Sequence, residues 1–257
     1  MNDRAKVSKN NQIHTQDSCL IDAELIAFYH EHGFCIVKGV LTQAECSSYL
    51  READAFAESQ KNKYANAMNP DRTNPAFAKL MRHKLIIAYL EAIQQTKISA
   101  LQSMLFYRPP GSAGRDLHQD NFYGQSEYGA YIGAWIPLED TDRENGGLVA
   151  YPGSHREPLL PVIEDEERRK TNVGDFKNDR GLACMVPKGY EKVYLKNPAG
   201  SVMFIHGHIV HGSEDNLSKT RFRRVFTAHY IKKGFSFIPG AHAKRREMDV
   251  YSVDFTA

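Results

Sequence analysis

The sequence predicts a mainly β domain entered through N-terminal helices, and three observations carry that prediction. From Ile98 onward, short apolar runs follow one another, each cut off by Gly, Pro or Asn clusters. That is the pattern of a sandwich or barrel rather than of a parallel α/β sheet. Before Ile98, apolar residues recur at helical spacing instead. The 257 residues hold no internal repeat and no low-complexity tract, and single all-β domains of this size are common. The expected organisation is a mobile tail over residues 1–18 and one domain over 19–257.

Ile21, Leu25, Ile26, Phe28 and Tyr29 follow helical spacing up to His32, and Gly33 stands where a helix would stop. Phe34–Lys38 is a short β-rich run. Thr42 followed by Glu45 reads as a capping box opening a helix to about Ser59. Lys61–Pro75, rich in Asn, Asp and Pro, reads as loop, and a further helix is expected over His83–Gln95. The strand candidates are Ile98–Tyr107, Tyr131–Pro137, Leu148–Tyr151, Val193–Leu195, Ser201–Ile205 and Val225–Ile231. Asn145-Gly146-Gly147 and Pro152-Gly153-Ser154 are tight-turn signals. The weakly patterned stretch 158–189 is long for a connection inside a domain and reads as a lid or substrate loop, with Glu164–Lys170 as an exposed charged face.

Composition excludes several classes of function. Apolar residues make up 42% and charged residues 25%, and the net charge is +2, so no strong field favours nucleic acid or an anionic membrane. No segment approaches the ~18 apolar residues of a membrane span, and Met1–Asp17 has no apolar stretch of a secretory signal. Cys19, Cys35, Cys46 and Cys184 have no paired spacing, which points to free buried thiols in a reducing cytoplasm. The expected partner is a small molecule, the expected assembly a monomer or homodimer.

The chemistry concentrates in Asp116–Gly124, where His118 and Asp120 are two residues apart. On an extended strand such side chains leave the same face and can converge on one point. Two His and one carboxylate on one side of a metal, with the opposite positions open, form the ligand set of non-haem Fe(II) oxygenases. A second His must come from elsewhere, and Phe204–Ser213 offers His206, His208 and His211.

Several motifs stand in order: His118-Gln-Asp120-Asn-Phe-Tyr123, Trp135-Ile-Pro-Leu138, Glu144-Asn-Gly-Gly-Leu148, Pro152-Gly-Ser-His155, and His211-Gly-Ser213 with Asn216, Ser218 and an Arg-rich strand. In this order and spacing the chain resembles the phytanoyl-CoA dioxygenase family of Fe(II)/2-oxoglutarate oxygenases, from about Ile21 to Tyr230. The resemblance implies a double-stranded β-helix (a jelly-roll, cupin-like core), one Fe(II), 2-oxoglutarate as co-substrate and O2. It implies His118, Asp120 and His211 as iron ligands and catalytic centre. His211 is preferred over His206 and His208 because it alone is followed by Gly-Ser at the family spacing. The distal carboxylate of 2-oxoglutarate calls for a planar, permanently charged partner. The family position, eleven residues after the distal His, is here Phe222; counting back seven from Tyr230 gives Arg223. Arg221 is the runner-up, and Arg224 is expected to point oppositely. Ser213 would help hold the same carboxylate, and Gln102 resembles a position flanking 2-oxoglutarate. Tyr123, Trp135 and parts of 158–189 are expected around the substrate.

The implied reaction is hydroxylation of a C–H bond in a small-molecule metabolite, with succinate and CO2 as co-products. The alternative is a cupin-like metal protein that binds or isomerises a small molecule without 2-oxoglutarate turnover. Halogenation is disfavoured because Asp120 is present. His155 is expected to be structural.

Overall fold

The computed structural model describes residues 13–15, 21–164 and 181–252. The middle of the expected lid, and most of the expected tail, lie outside the described residues. Within the tail, Ile13–Thr15 forms an edge strand, β1, parallel to β2 at Phe34–Lys38. Between them runs helix α1 (Ala23–His32), capped by Asp22 and ended by Gly33 in the left-handed conformation at φ 84°. Helix α2 (Gln43–Ser59) opens with the capping box foreseen at Thr42 and Glu45. Helix α3 (Pro75–Met81) lies where the loop reading ended. Asn74 caps it and Pro75 takes its first position, where a missing N–H costs nothing. Helix α4 spans Lys84–Gln94.

The β-rich half follows. β3 (Ala67–Met68) is a short edge, and β4 (Ile98–Arg108), β5 (Arg115–His118) and β6 (Tyr131–Pro137) come next. A one-turn helix α5 (Asn121–Gly124) separates β5 from β6. β7 (Leu148–Ala150), β8 (Val162–Glu164), β9 (Leu182–Cys184) and β10 (Val193–Tyr194) lead to β11 (Val202–His206), β12 (His211–Ser213) and β13 (Arg223–Lys232). Two sheets result, ordered β1-β2-β11-β6-β13-β4-β3 and β10-β7-β12-β5, and β8 with β9 forms a separate hairpin. All pairings in the two sheets are antiparallel except β1 with β2.

The large sheet is buried on both faces, which is why its strands read as near-continuous apolar runs. One face packs on the helices through Leu105, Tyr107, Phe226, Ala228 and Tyr230. Tyr107 and Tyr230 reach through that layer to donate to the Ala53 and Met81 carbonyls. The other face meets the small sheet through Met104, Phe106, Trp135, Leu148, Ile205 and Val225. Between β4 and β13 the register slips: His229 pairs Gln102 and Tyr230 pairs Ala100, leaving Leu101 as an extra residue. This bulge reverses which face the following residues of β4 present.

Cys35, Cys46 and Cys184 are buried free thiols, as expected; Cys19 lies outside the described residues. Among the described residues no helix is long and apolar enough to cross a membrane.

Candidate active site

Two residues far apart in sequence meet because β5 and β12 pair antiparallel with His211 directly opposite His118. Their ring centroids are 4.3 Å apart. Gly212 makes that approach possible, since a Cβ there would stand 2.8 Å from the Arg115 carbonyl oxygen. Asp120 arrives differently from the strand geometry expected. His118 is the last residue of β5, and Asp120 sits at φ −60°, ψ −35° in the turn that opens α5. A helical turn, not an i/i+2 strand face, swings its carboxylate back. Oδ1 lies 3.4 Å from His118 Nε2, and Oδ2 lies 3.8 Å from His211 Nε2. One ligand atom from each of the three lies within 4.8 Å of the others, all three residues being buried, so together they can hold a metal ion.

The tautomers suit that task. His118 Nδ1 lies 2.8 Å from the Asp116 carbonyl oxygen and His211 Nδ1 lies 3.1 Å from that of Ile209. A carbonyl only accepts, so Nδ1 carries the proton in both rings and Nε2 keeps its lone pair for a cation. Burial, the Arg115 charge and the neighbouring His211 push His118 down to about 3. Burial likewise lowers His211. Burial works against ionisation of Asp120, yet the surrounding His229, His211 and His118 outweigh it and hold its carboxyl well below the usual range. Two neutral imidazoles and one carboxylate are the donor set that Fe(II) takes with open positions.

The three line a cleft that encloses about 460 Å³ of non-atom space, its open mouth included. Its walls are Met104, Phe106, Trp135, Leu148 and Ile205 on the apolar side, with Arg108, Arg115, Ser213, Arg223, Thr227 and His229 on the polar side. Arg223 is 3% exposed; its Nη1 donates to the Gly146 carbonyl at 2.7 Å, and its guanidinium lies 5.9 Å from the Trp135 ring. The runner-up Arg221 is elsewhere, paired with Asp142 at 2.9 Å and Glu144 at 3.1 Å. Arg224 points to the helix side, onto Asp54 and Glu139. Ser213 Oγ accepts from the Arg115 backbone N–H, which leaves its own O–H available to the cleft.

Two expected residues stand aside from this cleft. Gln102 is buried behind it, its amide 2.8 Å from His229 Nδ1, because the bulge at Leu101 sets it opposite His229. Tyr123 lies on the other side of His118, at 6.4 Å between ring centroids, in a small apolar hollow shared with Leu160, Val162, Leu182 and Cys184. His206, His208 and His155 lie outside the cluster. His208 Nδ1 donates to the Glu157 carbonyl and Nε2 accepts from Asn121, while His206 Nδ1 accepts from the His208 N–H. His155 Nε2 donates to the His30 carbonyl, and its ring centroid lies 5.1 Å from that of His206.

Sequence reasoning missed Arg108, Arg115, Thr227 and His229. Strand alternation carried a signal for two of them: Thr227 and His229 share the face of Arg223 at period two.

The comparisons with known proteins agree with this geometry. The chain is 26% identical over 251 residues to the peroxisomal phytanoyl-CoA dioxygenase of Rattus norvegicus, covering 88% of this chain and 72% of that one. Among solved structures it is similar to the epimerase SnoN, in complex with Fe3+, alpha ketoglutarate and nogalamycin RO. TM-score is 0.70 at 22% identity, covering 84% and 85% of the two chains. It is also similar to the alpha ketoglutarate dependent carbocyclase SnoK from nogalamycin biosynthesis, with TM-score 0.69 at 22% identity over 86% and 88%. These structural likenesses establish the jelly-roll fold. The phytanoyl-CoA dioxygenase (PhyH) family model matches residues 29–225; the chain belongs to that family, and is a non-haem dioxygenase that uses Fe(II), 2-oxoglutarate and O2.

Proposed function

We propose that the protein oxidises a C–H bond of a small-molecule substrate to an alcohol, with His118, Asp120 and His211 as the iron ligands. The observation that carries this is the convergence of that trio on the cleft that also holds Arg223 and Ser213. Bound Fe(II) with 2-oxoglutarate supplies the activation of dioxygen, one oxygen atom entering succinate and the other the substrate, with release of CO2.

The chain's own residues do the rest. His118 and His211 present Nε2 lone pairs fixed by their Nδ1–H bonds, and Asp120 supplies the single negative charge. Arg223, held by Gly146, and Ser213 receive the distal carboxylate of 2-oxoglutarate. A buried guanidinium offers a paired, charge-assisted contact there that a lysine would not. Trp135, Met104, Phe106, Leu148 and Ile205 keep water from the apolar side of the cleft, which strengthens these polar contacts and protects reactive species.

The test follows succinate in protein reconstituted anaerobically with Fe(II) and 2-oxoglutarate as oxygen is admitted. Iron- and oxygen-dependent succinate that disappears in Asp120→Ala is the expected result. Wild-type turnover in Asp120→Ala would overturn the ligand assignment. With substrate in hand, product mass reads the outcome: a gain of one oxygen supports hydroxylation. Loss of two hydrogens, or no change of mass, refutes it in favour of ring closure or epimerisation.

A further inference from the structure

His229 is buried, is not a member of the ligand trio, and touches it. Its Nε2 lies 3.1 Å from Asp120 Oδ2. A carboxylate only accepts, so Nε2–H donates. On the far side of the ring, Nδ1 receives the Gln102 amide at 2.8 Å. The ring centroids of His229 and Tyr131 are 5.2 Å apart, with the rings tilted by 34°. The imidazole is therefore held at both nitrogens and along one face.

Two backbone features exist around this contact. The extra residue at Leu101 places Gln102 opposite His229 across the β4–β13 ladder. Were the ladder to run on from Ala100 without the slip, Leu101 would oppose His229 and Gln102 would face the helix layer. On the other neighbour, β6, the residue opposite His229 is Gly133. An ideal Cβ at Gly133 would stand 3.3 Å from His229 Cδ2 and 3.4 Å from Asp120 Oδ2. A Cβ there would need His229 to give by a few tenths of an ångström, and glycine lets the β6 backbone lie close against the hydrogen bond.

We infer that Gln102 and His229 form a positioning pair that engages Oδ2 of Asp120 and so leaves Oδ1 as the single metal-facing oxygen. The inference rests on the ligand reading of Asp120 proposed above. Its chemical sense is denticity. A carboxylate with both oxygens loose can chelate, occupying one of the positions that 2-oxoglutarate and oxygen require. One oxygen tied to a donor binds through the other, with its orientation fixed in advance. Partners that orient a ligand in this way contribute roughly 10–100-fold to metal affinity. His229 acts through Asp120 and is a positioning residue.

The experiment titrates the full-length apoprotein with Co(II) alone, following calorimetric affinity and the visible absorption of the bound ion, with unfolding midpoints recorded alongside. His229→Leu should bind Co(II) roughly 10–100-fold more weakly and show an altered absorption spectrum, at an unchanged fold. His229→Gln carries an N–H that can reach the same oxygen, and should restore most of the affinity and the spectrum. Wild-type affinity and spectrum in His229→Leu overturn the inference. Asp120→Ala separates the two levels. Lost Co(II) binding there, with none lost in His229→Leu, overturns the positioning pair alone; retained binding overturns the ligand reading as well. If His229→Leu fails to fold, Gln102→Met leaves the ring in place but removes its orienting donor. Weaker binding with a changed spectrum supports the pair, and wild-type behaviour refutes it.

Discussion

Among the described residues two groups of histidines are buried in the fold, and one of them is arranged with a carboxylate so that it could hold a metal ion. His118 and His211 lie on paired strands, whereas His206 ends β11 and His208 lies in the turn that leads to β12. All four rings are less than a tenth exposed, and burial lowers the pKa of all four. The difference lies in the nitrogens. In His118 and His211 the chain's own carbonyls take up Nδ1, two residues back in each case, and both Nε2 atoms face Asp120. In His208 both nitrogens are spent on Glu157 and Asn121, and in His206 Nδ1 serves the His208 backbone. Burial and residue type do not make a ligand; a lone pair left over and aimed at a carboxylate does.

The largest expected effect tests that contrast directly. His211→Ala should abolish both Fe(II)-dependent succinate formation and binding of the metal, while His206→Gln should retain both. Equal losses in the two variants would erase the distinction. Next is Arg223→Ala, which removes a buried charged partner. Such truncations cost roughly 2–5 kcal/mol, so the KM for 2-oxoglutarate should rise by at least ~30-fold, while Co(II) affinity without 2-oxoglutarate stays put. A KM within a few-fold of wild type would move the carboxylate site elsewhere.

The second histidine group should show itself in acid. Burial, with His155 and His208 as neighbours, holds His206 down to about 3, and burial holds His155 down to about 4. Unfolded histidine titrates near ~6.5. Between those values the unfolded chain binds more protons than the folded one, so stability falls as pH falls from ~6.5 towards 3, by up to ~1.4 kcal/mol per pH unit and histidine. Urea midpoints of the metal-free protein between pH 7 and 5 should therefore decline, and decline less in His206→Gln. Parallel slopes would mean these rings do not set the acid limit. The smallest effect belongs to Arg221→Ala. Its pairs with Asp142 and Glu144 are partly exposed and worth about 0.2–1 kcal/mol. Midpoint denaturation should register that and 2-oxoglutarate KM should not change.

Much of this was legible in the residues because it depends on local rules. The Thr42/Glu45 capping box, the stop at Gly33 and the apolar strands of the large sheet follow from neighbours in sequence. Arg223 came instead from the family resemblance, by the count of seven back from Tyr230. What was not legible depends on non-local registry. Asp120 reaches the centre through a turn after β5, which an i/i+2 argument does not describe. Helix α3 hid behind Asn74-Pro75, a dipeptide as natural to a loop as to a helix start. Gln102 had the right strand and the wrong neighbour: an inserted residue at Leu101 turns it towards His229, and nothing in the local pattern announces the insertion. His229 was silent for the same reason, since its meaning comes from Gln102, Gly133 and Asp120 on three other segments.

That extra residue has a consequence for how such a chain can change. Ile98 and Ala100 serve the helix-packed core, and so do Leu105 and Tyr107 beyond the slip, while Met104, Phe106 and Arg108 serve the cleft. β4 is thus written in two phases joined at one point. Substituting Leu101 alters one side chain. Deleting it would join Ala100 directly to Gln102, restore plain alternation along the ladder and leave Ile98 and Ala100 on the core side with Met104, Phe106 and Arg108 on the cleft side. A chain diversified by insertions and deletions could therefore lose Leu101 and keep both faces, whereas losing one residue elsewhere within β4 would turn over the side chains on one side of the loss.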